Sequence, residues 1–151
     1  MEDSAEPTRR DRLHDVFWER HSNPKSGWSR TLVGPLLVLA LYRRDWRLLG
    51  VALLAAVVNP IVFAAPEADT DSWMTRGVRA ERWWLDEGRG TFGLGWPNVL
   101  NALNLPAFAY TLYAAYRRYP RRAVVALALS MALKFGWIEV IARRYDAALE
   151  R

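Results

Sequence analysis

Lys134 is the residue of this chain whose position asks most for a chemical explanation. It lies in an apolar stretch, twelve residues from Arg122 and nine from Arg143, too far from either end to reach water by snorkelling. An ammonium near the centre of a bilayer costs about 2.5–3.5 kcal/mol even on the mildest insertion scale, so it must face a partner or a water-filled cavity. Asn98, Asn101 and Asn104 recur every three residues and form one stripe of a second apolar stretch. Counting back from the turn between the two stretches sets Lys134 level with about Leu105, and so beside Asn101 and Asn104. Asn59, Asn98 and Glu139 fall in the same half of the membrane. These six residues, Asn59, Asn98, Asn101, Asn104, Lys134 and Glu139, form a candidate polar cavity for a small polar or ionic solute. The plainer reading makes the asparagines interhelical glue, at ~0.6 kcal/mol for each hydrogen bond. Glue suits asparagine better than a mid-span lysine, because a neutral residue joins helices at lower cost. Glu139 points about 140° away from Lys134 on the same helix and has Arg143 at i,i+4 as its nearer partner.

These side chains need elements long enough to carry them through a bilayer. Residues 48–65 contain no charge, and eighteen residues of helix cover roughly 27 Å, close to a hydrocarbon core. Three further apolar stretches give spans at about 24–42, 48–65, 97–116 and 123–142. The expected fold class is an all-α integral membrane bundle of four transmembrane helices, residues 24–142. Amphipathic interfacial helices lie before it and in the 67–95 loop. A polar tail with an amphipathic helix (1–23) precedes the bundle, and a polar tail (143–151) follows it. Leu13, Val16 and Phe17 share one face of the first helix, which either lies on the membrane or packs on the bundle. The apolar part of the first span, 31–42, is short and needs Trp28 and Arg30 to complete it. Trp28, Trp46 and Trp96 mark span ends, where amphipathic rings are favoured.

Composition agrees. Over half of the 151 residues are apolar (52%), yet the net charge is +5 because arginines crowd the connections. Basic residues beside spans meet anionic lipid headgroups, and no nucleic-acid module is present. The absence of cysteine excludes disulfides, zinc–thiolate sites and thiol nucleophiles. No cofactor motif is found, and His14 and His21 lack metal-ligand spacing. The charged N-terminus has no signal-peptide core, so the first span is expected to serve as the targeting signal in a multi-pass cell-membrane protein. An even number of spans puts both termini on one side. The short basic turns 43–45 and 117–122 favour their own side as cytoplasmic, whereas the total count of basic residues favours the other, and orientation stays open. Four short spans seldom enclose a pathway alone, so a homo-oligomer is expected.

The most distinctive local string runs from Trp18 to Arg30. It holds His21, Asn23, Pro24, Ser26, Trp28, Ser29 and Arg30 in the pattern His-x-Asn-Pro-x-Ser-x-Trp-Ser/Thr-Arg. A second set comprises Asn59-Pro60, Ser72-Trp73-Met74, Glu81-Arg82 and Trp84. Over about 17–85 the chain thereby resembles a family of small polytopic membrane proteins of unknown function. The resemblance implies this topology and brings no activity. His21, Asn23, Ser26, Trp28, Arg30 and Glu81 form a second candidate set, an interfacial motif. It underlies the alternative of an enzyme acting on a lipid headgroup through His21 and Glu81. A third alternative is a structural subunit whose asparagine stripe faces another protein. An enzyme should set His21 within hydrogen-bond reach of a carboxylate, a binding protein should gather asparagine and lysine in one cavity, and a scaffold should leave the stripe uncovered.

Overall fold

Local signals explain where three of the helices begin. Thr8 and Asp11 form a reciprocal capping box that opens α1 (Arg9–His21). The Asn23 side chain accepts from the Lys25 N–H at 2.8 Å, and Pro24 takes the first position of α2 (Pro24–Thr31). Asp45 caps α4 (Trp46–Val62) through the Arg47 and Leu48 amides. The remaining helices are α3 (Val33–Arg43), α5 (Trp73–Asp86), α6 (Asn98–Tyr116) and α7 (Pro120–Leu149). The computed structural model describes residues 8–151; the first seven residues of the expected 1–23 segment lie outside them. Among the described residues the fold is all-helical, with no strand.

Helices α6 and α7 form an antiparallel hairpin, α3 and α4 form a second, and α3 joins the two by packing on α6. Their crossings are built on small residues. Ala114, Ala115 and Ala123 are buried together under Val38 and Leu41, which lets backbones approach closely. Both hairpin turns end a helix on an arginine in left-handed conformation, Arg44 at φ 56° and Arg118 at φ 58°. The amide after each bonds back to a carbonyl of the last helical turn, Asp45 to Ala40 at 2.9 Å and Tyr119 to Ala114 at 2.8 Å. The Arg44 guanidinium lies over the Tyr116 ring, 5.1 Å from its centroid, so the two basic turns are neighbours.

Helix α5 does not stand off from the hairpins. It lies across α7 and against α2, burying Ala80 and Trp84 with Trp137, Ile141 and Ala142. Two glycines permit this. A Cβ on Gly77 would stand 2.6 Å from a methyl of Ile138, and one on Gly27 would stand 2.8 Å from Met74.

The elements differ from the expected spans in three respects. The first expected span divides at Leu32 into α2 and α3, where the polar string gives way to the apolar one. The second, α4, is a 17-residue apolar helix that ends at Val62, after Pro60. The fourth begins at Pro120 and runs through the expected tail to Leu149 as one 30-residue helix. Its extension is held by Arg143 on Glu139 at 2.7 Å, by Asp146 on Arg76 at 3.3 Å and by Tyr145 against Trp83. By length and composition α7 alone among the described helices suffices to cross a membrane.

Gly77→Ala is expected to destabilise the protein by about 1–3 kcal/mol, because Ile138 and the α5 backbone must separate. Gly50 has no neighbour within 4 Å of its missing Cβ, so Gly50→Ala is expected to be neutral or to stabilise by up to ~1 kcal/mol. Thermal unfolding of both in one detergent checks this; equal losses would remove the close-approach account.

Candidate functional site

Four helix segments converge on one cavity of about 420 Å³. The last residue of α1 supplies His21, the last turn of α2 supplies Arg30, the middle of α5 supplies Glu81 and the middle of α7 supplies Lys134. The Lys134 ammonium lies 3.7 Å from Glu81 Oε1 and 4.5 Å from the centroid of the Trp137 ring. It thus has both a counter-charge and a π face. Arg30 Nη1 lies 2.8 Å from His21 Nδ1 and 2.6 Å from Nε2, and donates to whichever ring nitrogen is unprotonated. The ring also stacks on Phe17, 5.3 Å between centroids. Burial, then Arg30, then Lys134 push the His21 pKa down from 6.5 to about 4. With a neutral His21 the polar end carries two cations and one anion.

The rest of the wall is mostly apolar: Val33, Met74, Val78, Phe108, Leu127, Met131, Phe135 and Ile138. Asn104 and Ser130 interrupt it, and the Ser130 hydroxyl donates to Asn104 Oδ1. The Asn104–Ser130 and Asn98–Trp137 pairs fix the register of the α6–α7 hairpin. They set Lys134 level with about Asn101 rather than Leu105, one turn farther from the basic turns. The cause is that α7 starts three residues before the expected Ala123.

Of the five residues expected around Lys134, Asn104 lines the cavity with it, and the other four lie outside. Asn59 joins α4 to α2, accepting from Ser26 Oγ at 2.9 Å and donating to Ser29 Oγ at 2.7 Å. Asn98 accepts from Trp137 Nε1 at 3.1 Å and donates to the Arg89 and Gly90 carbonyls. Asn101 donates to the Thr91 carbonyl at 3.0 Å. The two thus hold the glycine-rich 88–95 loop on α6. Glu139 accepts from Trp73 Nε1 at 2.7 Å and from Arg76 at 3.3 Å, fastening α5 to α7.

The interfacial set divides in the same way. His21, Arg30 and Glu81 line the Lys134 cavity. Asn23 donates to the Ala64 carbonyl at 2.8 Å, past the end of α4. Ser26 bonds Asn59, and the exposed Trp28 lies near Trp73, 6.4 Å between ring centroids. Two candidate sets that the sequence keeps apart therefore share one site. The missing signal was the α5–α7 contact, which no local pattern encodes. Among the described residues no carboxylate hydrogen-bonds to His21.

The model of a family of unknown function, DUF6653, matches residues 12–150, and the chain belongs to that family. No curated protein and no solved structure matches it. The match takes in α1 from its fourth residue, all of α2 to α7 and all the cavity residues named above.

The depressed His21 pKa has a stability consequence. Above pH 6.5 the ring is neutral in both folded and unfolded chains. Between pH 6.5 and about 4 only the unfolded chain takes up the proton, so stability is expected to fall across that window. In a His14→Gln background, NMR titration should place the His21 midpoint near 4, and Arg30→Gln should raise it. A wild-type midpoint near 6.5 would contradict the Arg30 contact.

Proposed function

We propose that this chain is a four-span membrane protein that binds a small anionic solute at Arg30 and Lys134. The carrying observation is the charge inventory of the cavity: two cations, one carboxylate and a histidine whose ring accepts from Arg30. Such an end has one positive charge to spare and hydrogen-bond donors on two sides of it. Catalysis through His21 and Glu81 has less support, since a general base needs an orienting acceptor and His21 has a guanidinium in that place. The asparagine stripe is taken up by bonds within the chain, which lends the scaffold reading little.

The outward surfaces support the membrane half of the reading. Val51, Leu54 and Val57 on α4 are exposed, Val57 at 75%, as are Val124, Val125 and Leu129 on α7 and Leu103 and Leu105 on α6. In water such an apolar belt drives aggregation; in a bilayer it is ordinary lipid contact. Helix α1 is docked through its polar side, Asp15 on Arg82 and Arg20 on the Ile61 carbonyl at 2.9 Å. Its Leu13 and Val16 face outward, as a helix resting on a membrane surface requires. The neighbouring basic turns then meet anionic headgroups at the opposite surface. A second copy is the natural means of closing a pathway that four spans leave open.

The cysteine-free chain makes topology simple to test. An impermeant maleimide is expected to label Arg44→Cys and Arg118→Cys from one side of sealed vesicles, and Asp69→Cys from the other. Labelling of all three from one side would sink the four-span reading. Calorimetry with butyrate, at ionic strength matched with chloride, is expected to show binding that Lys134→Met abolishes. Lys134→Met combined with Glu81→Gln, which leaves no unpaired carboxylate, should melt at or above the wild-type temperature, because a charge pair retained for binding gains little over neutral groups. Equal binding by wild type and Lys134→Met would move the site elsewhere.

A further inference from the structure

The cavity has two unlike ends, and their order along α7 identifies the class of occupant. The charged end is at Lys134. Seven residues along α7 toward the basic turns is Leu127, about 10 Å away at the helical rise. There Gly34 of α3 closes on α7, since a Cβ on Gly34 would stand 3.1 Å from Leu127 Cδ1. Phe108 and Met131 complete this apolar end. On the four-span reading, the charged end lies under α1 and α5 near one surface and the apolar end points toward the middle of the bilayer. That is the orientation of a lipid within a leaflet. At roughly 30 Å³ for each water-sized group, the cavity volume of about 420 Å³ holds about 14 such groups. A carboxylate takes about three of them and leaves about eleven for a chain. A two-chain lipid would leave most of its volume outside the cavity. The spare charge at the polar end is one, which a carboxylate neutralises and a phosphate dianion exceeds.

From these observations we infer that the occupant is a medium-chain fatty carboxylate, its head between Arg30 and Lys134 and its chain along Met131, Phe108 and Leu127. The inference rests on the anion-binding reading and adds to it the apolar chain. No bond is made or broken; the protein shelters an amphiphile that has one end too polar for the bilayer core.

The test uses the full chain in phosphatidylcholine nanodiscs and a ten-carbon carboxylate bearing a diazirine at its far end. After irradiation, label is expected on Phe108, Leu127 and Met131, suppressed by decanoate and not by decanol or decyltrimethylammonium. Lys134→Met is expected to reduce it at least tenfold, and Lys134→Arg to keep it. Leu127→Trp, which fills the apolar end and leaves every charge in place, serves if Lys134→Met fails to fold. It should lose decanoate and keep butyrate. Label spread over outward residues such as Val51 and Val57, or unmoved by decanoate, overturns the inference. Decanoate binding no tighter than butyrate overturns it and leaves the anion reading standing. Binding of neither overturns both.

Discussion

The docking of α5 on α7 is the contact on which the rest of the site depends. Glu81 reaches Lys134 because Gly77 lets the two helices meet at Ile138 and because Glu139 takes hydrogen bonds from Trp73 and Arg76 of α5. The Trp84–Trp137–Ile141 cluster seals the same seam. Without α5 in place the lysine has an aromatic ring and no counter-charge, and the outer wall of the cavity is gone. The seam is amphipathic in depth: apolar and close-packed at Gly77 and Ala80, ionic at Arg76, Glu139 and Asp146. Apolar packing does not distinguish one axial register from another by much, whereas a carboxylate with three donors has few alternatives. The ionic end therefore sets the register and the glycine contact sets the distance.

Charge placement follows from that geometry. Lys134 and Glu81 at 3.7 Å compensate each other, yet the lysine is also within reach of Trp137 and the cavity. A pair meant only to hold helices together gains little over an apolar pair of the same shape, because desolvation offsets most of the attraction. Arg30 adds a cation for which the cavity holds no second carboxylate among the described residues, and its donor contact goes to a neutral imidazole. Four polar groups on four helices thus pair off, Lys134 with Glu81 and Arg30 with His21, and line one space together. Neutral ties hold other helices together away from that space, Asn59 with Ser26 and Ser29 and Asn98 with Trp137, and the ionic tie of Glu139 to Arg76 also lies outside it.

Much of the framework is legible from the residues, and the site is legible only in pieces. Asn23-Pro24 announces a helix start because capping is local chemistry, whereas the Asp45 cap and the start at Pro120 emerge only in the structure. The breaks at Arg43–Asp45 and Arg117–Tyr119 follow from charge placed between apolar runs. Lys134 announces itself because its cost in an apolar stretch is large. The partner of Lys134 was out of reach of such reasoning. Glu81 is 53 positions away on a helix whose Trp content suggests a headgroup-level element. Only three-dimensional docking carries it to the lysine. The asparagine stripe misleads for the opposite reason. Its period is real, but periodicity reports a shared face and not what the face meets. Asn98 and Asn101 face the 88–95 loop, and Asn104 alone faces the cavity.

A site of this kind needs its motif at a helix junction. His21 ends α1 and Arg30 ends α2, and the bend between them is fixed by the Asn23 cap and by Ser22 Oγ on the Glu19 carbonyl at 2.7 Å. Arg30 is two residues from Leu32, where α2 gives way to α3. A continuous helix through Leu32 would place the arginine wherever the helical period dictated. With the interruption it lies on the cavity wall, where Nη1 contacts the His21 ring. The polar string before the first apolar run is therefore a device for turning a cation inward, and Ser26 and Ser29, locked on Asn59, keep α2 from rotating it out again.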